Sequence, residues 1–301
     1  MGLRSATPAS LSLALCLCGC PAKHAAEGNF PPCAVGSGAR DAAGALEICL
    51  SLGDSQLARR ADPSQLEAAL NTYSSAQMLG PDDPRLLERL GRAYLARAYG
   101  YPQAAGDDYR QARALGERCL AGAPDVQGVV SSAGGTLSTR AINAVDADRA
   151  GCLLLAAEAS AREVADLGLG GVSLDLGLIA DMGRRALKLT PPLAPGRAAA
   201  VYGLALALPP QPRSPDLDAA ETQLRAAMQS APARLTPAVD LAIHVYGPRG
   251  DGQRWAETLQ KVVASTGRPE DPDALENRVA RSRAQAALAE GAPDPSAWWR
   301  R

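Results

Sequence analysis

Two histidines and a few pairs of adjacent acidic residues are the side chains whose types and spacing would best support acid–base or metal chemistry. His244 lies in an apolar helical stretch with no cysteine or second histidine near it, which is typical of a buried structural histidine. The acidic pairs stand where helices are predicted to begin, where carboxylates cap the helix and complement its dipole. The GxSxG, P-loop and HExxH motifs do not occur. The sequence therefore predicts a protein that is not an enzyme and has no catalytic residue, no metal and no cofactor.

Cys20 is the residue with a specific predicted modification. It ends the sequence LCGC, which follows an apolar run too short to span a bilayer but suited to the apolar core of a signal peptide. A small residue before a cysteine is typical of a bacterial lipobox. Residues 1–19 are therefore predicted to be a lipoprotein signal peptide, with Cys20 lipidated by palmitate-type acyl chains. The alternative is a soluble secreted protein cut by an ordinary signal peptidase.

The predicted anchor also suggests a compartment. Pro21 stands where many inner-membrane lipoproteins carry aspartate, which favours the outer membrane of a Gram-negative bacterium. The protein would face the periplasm, an oxidising compartment in which disulfides persist. Cys33, Cys49, Cys119 and Cys152 then allow two disulfides in three connectivities, and the alternative is that the last three are small apolar core residues. No pair has CxxC spacing, which argues against zinc.

Composition excludes several classes of partner. The net charge is −1 and aromatic residues make up 4% of the chain, so neither a strong field nor a stacking platform favours nucleic acid. Alanine and leucine dominate while β-branched residues are sparse, which favours closely packed helices over sheet.

A signature of the form Ala-x3-Tyr/Leu-x2-Ala-x4-Pro predicts the architecture. Its two copies are Ala69, Tyr73, Ala76 and Pro81, then Ala220, Leu224, Ala227 and Pro232. Small residues at these offsets let two helices approach closely, and proline ends the helix. The pattern is typical of the second helix of a tetratricopeptide repeat. The predicted fold is all-α, a tetratricopeptide-like (TPR-like) α-solenoid of antiparallel helix pairs.

The chain divides into a leader, a tether, a repeat domain and a tail. Residues 20–39 are predicted to be the lipidated cysteine with a flexible tether, residues 40–292 the helical repeat domain, and residues 293–301 a C-terminal tail. Later helices are predicted near 138–149, 151–167, 174–189, 196–208, 215–231 and 272–290.

Two sets of residues are predicted to face the concave side of the array. The charged set is Arg85, Glu88, Arg89 and Arg92, and the apolar set is Val239, Ile243, Tyr246 and Trp255. The charged set is interpreted as a surface for a protein partner, and the apolar set as the lining of a ligand groove. The alternative is that Val239, Ile243 and Trp255 belong to the core.

Residues 41–290 resemble the T-component lipoproteins associated with TRAP transporters. The resemblance is carried by LCGC, by YLARAYGY (Tyr94–Tyr101), by the helix Asp108–Leu120, by RRALKLTP (Arg184–Pro191) and by the run from AETQLRAAMQSAP through WAETLQKVV. One departure is Cys152–Leu155, where the family tends to carry a Leu-Tyr-Trp cluster. The resemblance implies an all-α array, with a homotrimer around a pore as a candidate assembly, that docks a periplasmic solute-binding protein. It also implies a small apolar cargo.

Two functions are therefore expected as competing hypotheses. The first is a lipid-anchored accessory protein of TRAP-type solute import that acts by binding a solute receptor. The second is a TPR-like scaffold lipoprotein in cell-envelope assembly that holds a protein or peptide in an open groove. A closed apolar cavity would favour the first, and an extended peptide-binding groove the second.

Overall fold

The structure, a computed structural model, describes residues 31–34, 38–39, 41–101, 105–127, 137–168, 175–189, 196–208, 215–268 and 271–294. Every regular element in these ranges is helical and none is a strand, which confirms the predicted all-α class. The predicted signal peptide, the predicted lipidation site Cys20 and residues 295–301 of the predicted tail lie outside the described residues.

The helices follow one another along the chain with short connections. They are α1 (Ala42–Leu57), α2 (Pro63–Ala76), α3 (Pro84–Gly100), α4 (Ala105–Ala121), α5 (Thr139–Ala144), α6 (Ala150–Leu167), α7 (Leu176–Leu189), α8 (Arg197–Ala207), α9 (Leu217–Ser230), α10 (Thr236–Leu241), α11 (Gly252–Ala264) and α12 (Ala274–Glu290). A π-helical segment, Ala242–Tyr246, continues α10. Most helices pack chiefly on the helices before and after them in the sequence, whereas α4 packs most extensively on α6, and α5 packs on α7.

The signature residues lie in two helices, α2 and α9. Ala69, Tyr73 and Ala76 in α2 are completely buried, and so are Ala220, Leu224 and Ala227 in α9. The prolines that complete each copy, Pro81 and Pro232, are exposed beyond the helix ends. The Ala-large-Ala spacing therefore marks the face by which each helix packs on its neighbours.

Helix starts agree with the sequence where an aspartate precedes a proline. The side chain of Asp62 accepts the N–H of Ser64, and that of Asp83 accepts the N–H of Arg85. The helix predicted at 138–149 is instead broken after α5, because Val145 is extended and its carbonyl accepts two N–H bonds from Arg185. A 3-10 turn, Ala147–Arg149, then leads into α6.

Two disulfides form among the four cysteines whose pairing the sequence left open. Cys33 bonds to Cys49 of α1 with their Cα atoms 5.2 Å apart. Cys119 of α4 bonds to Cys152 of α6 with their Cα atoms 5.9 Å apart. Ala34 is also buried in the main core. The packed part of the chain therefore begins inside the segment that the sequence assigned to the tether.

The two ends of the array meet. Leu275 of α12 is buried against Leu66 of α2 and Ala96 of α3. Arg60, in the turn between α1 and α2, donates two hydrogen bonds to Glu276 of α12, from Nε at 2.9 Å and from Nη2 at 3.1 Å. The first and last helices of the array are therefore in contact with each other.

Gly116 marks the closest approach of α4 to α6. A Cβ placed on it would lie 2.9 Å from the backbone N of Ala156 and 3.0 Å from its Cβ. We expect Gly116→Ala to lower the free energy of unfolding by about 1–3 kcal/mol, because two helix backbones would have to separate. Urea unfolding measures it.

Gly122→Ala is the matched control for that change. It lies just beyond α4, and the nearest atoms to a Cβ there would be 3.6 and 3.8 Å away. We expect a change within about 0.5 kcal/mol. Equal effects of the two substitutions would show that the α4–α6 contact tolerates a methyl group.

Candidate functional site

A cavity of about 180 Å³ lies between the two ends of the array. Its lining comes from the α1–α2 turn, α3, α6, α8, the start of α10 and the start of α12. Arg92, Leu95, Ala96 and Tyr99 line it from α3, at the spacing that puts side chains on one helix face. Glu158 and Arg162 do the same from α6. Six separate parts of the chain therefore build one site.

Half of the residues that line this cavity are charged. The arginines are Arg60, Arg92, Arg162, Arg197 and Arg234, and the acids are Glu158, Asp273 and Glu276. Leu57, Leu95, Ala200, Val201 and Pro237 supply apolar surface between them. The volume is below the ~300–1,000 Å³ of sites that hold drug-sized molecules. The cavity could therefore hold a small polar molecule or one side chain of a partner.

Glu158 lies at the centre of the hydrogen bonds in the cavity. Its Oε2 accepts from Nε of Arg197 at 2.5 Å, and its Oε1 accepts from the hydroxyl of Tyr99 at 3.2 Å. Burial opposes its ionisation, but Arg197 and Arg162 outweigh burial and hold the pKa of Glu158 below its usual range. Burial also raises the pKa of Tyr99. Glu158 therefore stays an acceptor and Tyr99 a donor at neutral pH.

A buried ion pair supports this wall from behind. Arg162 and Asp240 are 4% and 0% exposed, and Nη1 of Arg162 donates to Oδ1 of Asp240 at 2.7 Å. The second guanidinium nitrogen, Nη2, donates to Oδ2. The guanidinium also lies over the ring of Tyr99, 5.6 Å from its centroid. The pair thus fixes the position of both Tyr99 and Arg162.

Arg92 also lines the cavity, and its surroundings disfavour its positive charge. Its acidic contact is Glu88, one turn earlier on the same helix, with Nη2 at 2.6 Å from Oε1. Burial and the nearby positive charge of Arg197 lower the pKa of Arg92. Two guanidinium groups that repel each other at a cavity wall favour a negatively charged group between them.

His244 lies behind the same wall in the π-helical segment and is 4% exposed. Burial lowers its pKa to about 4, although Asp240 acts in the opposite direction. Between pH 6.5 and 4 the unfolded chain therefore binds a proton that the folded chain does not. We expect stability to be full above pH 6.5 and to fall by up to about 1.4 kcal/mol per pH unit toward pH 4.

Urea unfolding of His244→Gln at several pH values measures this slope. The variant should lose most of the decline between pH 6.5 and 4, whatever its stability at neutral pH. His24→Gln changes the other histidine of the chain and should leave the slope as it is. An unchanged slope in His244→Gln would mean that other groups cause the acid sensitivity.

The charged set predicted from the sequence meets the cavity only through Arg92. Arg85 pairs with Asp83 at 2.9 Å and with Glu47 at 2.5 Å, both at the surface. Arg89 pairs with Asp54, with Nε 2.8 Å from Oδ1. Glu88 and Arg92 form a pair on one face of α3. These residues therefore lie in one row on α3. Arg92, at one end of the row, lines the cavity.

The apolar set lies mostly in the core of the C-terminal half. Val239, Tyr246 and Trp255 are buried there, and Ile243 is partly buried against them. The hydroxyl of Tyr246 accepts from Nη2 of Arg225 at 2.8 Å and lies 3.2 Å from Glu221. This placement agrees with the alternative that the set is core, and none of its members lines the cavity.

Comparison with known proteins adds no identity. The chain matches no protein-family model, and a search of curated proteins found no relative. Among the described residues, no group of three or more histidine, cysteine or acidic side chains could hold a metal ion. None of the helices in the described ranges is both long enough and apolar enough to cross a membrane.

Most of the cavity residues were missed by sequence reasoning, although α6 carried a signal. Glu158, Arg162 and Glu163 are charged residues in an otherwise apolar helix, and all three are buried. Charged groups are buried in a helix only where partners meet them. Charged residues within this apolar helix were therefore a sequence signal for the wall of an internal site.

Proposed function

We propose that the chain is a lipid-anchored periplasmic accessory protein of a TRAP-type solute import system. It acts by binding, without turnover, and its partner is a periplasmic solute-binding protein. The lipobox ending in Cys20 and the resemblance of residues 41–290 support the compartment and the system. The cavity between the two ends of the array is the observation that carries the proposal.

The closed geometry favours this function over an envelope-assembly scaffold. A scaffold that holds an extended peptide needs an open concave face. Here the bonds from Arg60 to Glu276 and the packing of Leu275 on Ala96 close the array. What remains is a small cavity of about 180 Å³, half of whose lining residues are charged, which suits one small polar ligand or one inserted side chain.

The finer architecture is part of the same proposal. The buried Ala-large-Ala faces of α2 and α9 support a TPR-like arrangement of antiparallel helix pairs. The homotrimer implied by the resemblance would then place several cavities in one assembly. Native mass measurement of the purified chain distinguishes a trimer from a monomer.

The test is a pull-down with the full chain, extracted in detergent from the membranes of its host. We expect a TRAP-type solute receptor to co-purify, identified by mass spectrometry. The variant Arg89→Glu/Arg92→Glu should lose that receptor while its helicity by circular dichroism is unchanged. The reason is that these arginines belong to the charged row on α3.

Arg118→Glu/Arg184→Glu is the matched control for this variant. Both residues are about half exposed and each pairs with one aspartate, away from the cavity. If both variants lost the receptor equally, the loss would be caused by the overall change in charge and not by the charged row on α3. Co-purification of envelope-assembly proteins in place of a receptor would favour the scaffold.

A further inference from the structure

A second concave site lies on the outer side of the junction where the array closes. It is a groove of about 570 Å³ between residues 58–62 and a second group formed by residues 267, 268, 271, 272, 274, 275, 278 and 281. Arg59, Arg268, Arg278 and Arg281 line it, and we call it the arginine groove. Arg60 lines the groove as well, and Asp62 and Asp271 are the two acids among the described lining residues, so the five arginines outnumber these acids by three.

The four arginines differ from the other charged residues near the closure. Arg60 and Arg234 are neutralised by Asp273 and Glu276. No carboxylate of the described chain forms an ion pair with any of the four groove arginines. Nε of Arg59 reaches the carbonyl of Ser55 at 3.4 Å, and Arg278 reaches that of Ala61 at 3.5 Å. These long contacts are to neutral carbonyls, so they do not neutralise the guanidinium groups.

The two acids in the groove are already engaged. Oδ1 of Asp62 accepts from the backbone N–H of Ser64 at 2.9 Å and from the hydroxyl of the same serine. Oδ2 of Asp271 accepts from the backbone N–H of Arg268 at 2.9 Å. Both carboxylates therefore accept from local backbone N–H groups, and among the described residues neither forms an ion pair with a groove arginine.

Arg281 supplies a second, independent observation. Its Nη1 is buried and has no hydrogen-bond acceptor within the described ranges. A buried N–H group without an acceptor is costly, and native proteins rarely keep one unless a ligand or water completes it. Arg281 packs so closely on Gly267 that a Cβ there would lie 3.1 Å from Nη1. The donor is therefore held at the groove wall.

We propose that the arginine groove docks an acidic segment of a protein partner. Guanidinium groups bind carboxylates through paired hydrogen bonds, and such bonds are stronger than those between neutral groups. Ala58, Ala61 and Pro272 give the groove an apolar floor that fits small apolar side chains between the acids. The site is concave, so the plane of a bilayer would not enter it.

A segment bound in the arginine groove would also affect the contact between the two ends of the array. One wall is the α1–α2 turn and the other is the start of α12, so a bound segment contacts both ends of the array. Binding there stabilises the closure made by Arg60 and Glu276 and hence the cavity behind it. This inference rests on the proposed function only in taking the partner to be a protein.

The test uses the full chain in detergent and a fluorescein-labelled peptide of alternating Glu and Ala. Fluorescence anisotropy should show binding that weakens as salt is added. Arg59→Gln/Arg278→Gln should weaken it by roughly tenfold or more, which corresponds to about 1.4 kcal/mol. Arg118→Gln/Arg184→Gln removes the same charge from paired surface arginines and should change it by less than about twofold.

Three results would overturn the proposal. They are absence of peptide binding by the unmodified chain, equal weakening in the two variants, and preferential binding to phosphatidylglycerol vesicles that the groove variant abolishes. Matched thermal unfolding midpoints exclude misfolding, because both variants change surface residues. A receptor that co-purifies equally with the groove variant would refute the groove and leave the proposed function standing. If the peptide binds in the groove but no receptor co-purifies, the proposed function is refuted and the arginine groove stands.

Discussion

Asp240→Asn is expected to lower the free energy of unfolding by about 3–5 kcal/mol. The substitution keeps the size of the side chain but removes the charge that neutralises Arg162. Both residues are almost fully buried, and Nε of Arg162 has no acceptor among the residues that the structure describes. The guanidinium would thus remain charged inside the protein without a counter-charge. Urea unfolding at pH 7 measures the loss.

Glu47→Gln provides the matched control. It also changes an acid to its amide, but Glu47 and its partner Arg85 are 59% and 50% exposed. Exposed pairs contribute only about 0–1 kcal/mol. The double substitution Arg162→Met/Asp240→Leu should restore most of the stability, because it removes both charges together. If Asp240→Asn cost no more than Glu47→Gln, water would have to reach Arg162 in the folded protein.

Removing both disulfides should lower the free energy of unfolding by about 6 kcal/mol, at about 3 kcal/mol for each closed loop. The bonds join residues 16 and 33 positions apart, so each restricts the unfolded chain. A loss of this size is a large part of the ~5–15 kcal/mol that stabilises a typical protein. Thermal unfolding with and without reductant measures it, and the reduced chain should melt roughly 10–20 °C lower.

Separate variants distinguish the two bonds. Cys119→Ala/Cys152→Ala should cost more than Cys33→Ala/Cys49→Ala, because it opens the longer loop and lies between two central helices. Reductant should have no further effect on the quadruple variant. Alkylation of Cys119 or Cys152 in the unreduced native protein would show that this bond does not form.

The sequence could predict the helices because their signals are local. Ala69, Tyr73 and Ala76 report the packing face of α2 by their spacing alone, and Asp62 and Asp83 mark helix starts by their position before proline. The helix expected at 138–149 was wrong beyond Ala144, since its end depends on Arg185, 40 residues away along the chain. Local propensity contains no information about such a contact.

The cavity could not be predicted for the same reason. Arg60 and Glu276 are 216 positions apart, and nothing in either neighbourhood indicates that they meet. The sequence predicted that Arg92 lies on a concave face, and the structure places it in the wall of the cavity. The sequence also placed Val239 and Trp255 near a ligand, whereas they are buried among the apolar side chains of the C-terminal half. Closure of the array decides which face becomes a site.

Closure also changes how the molecule should come apart. In helical arrays with free ends each unit contacts only its neighbours, so unfolding can begin at a terminal unit and proceed in steps. Here α12 is held by α2 and α3 as well as by α11. Neither end can fray without breaking contacts that the other end needs. We therefore expect that inserting or deleting a helix pair would separate α12 from α2 and α3 and break their contacts, whereas in an array with free ends it would only change the length.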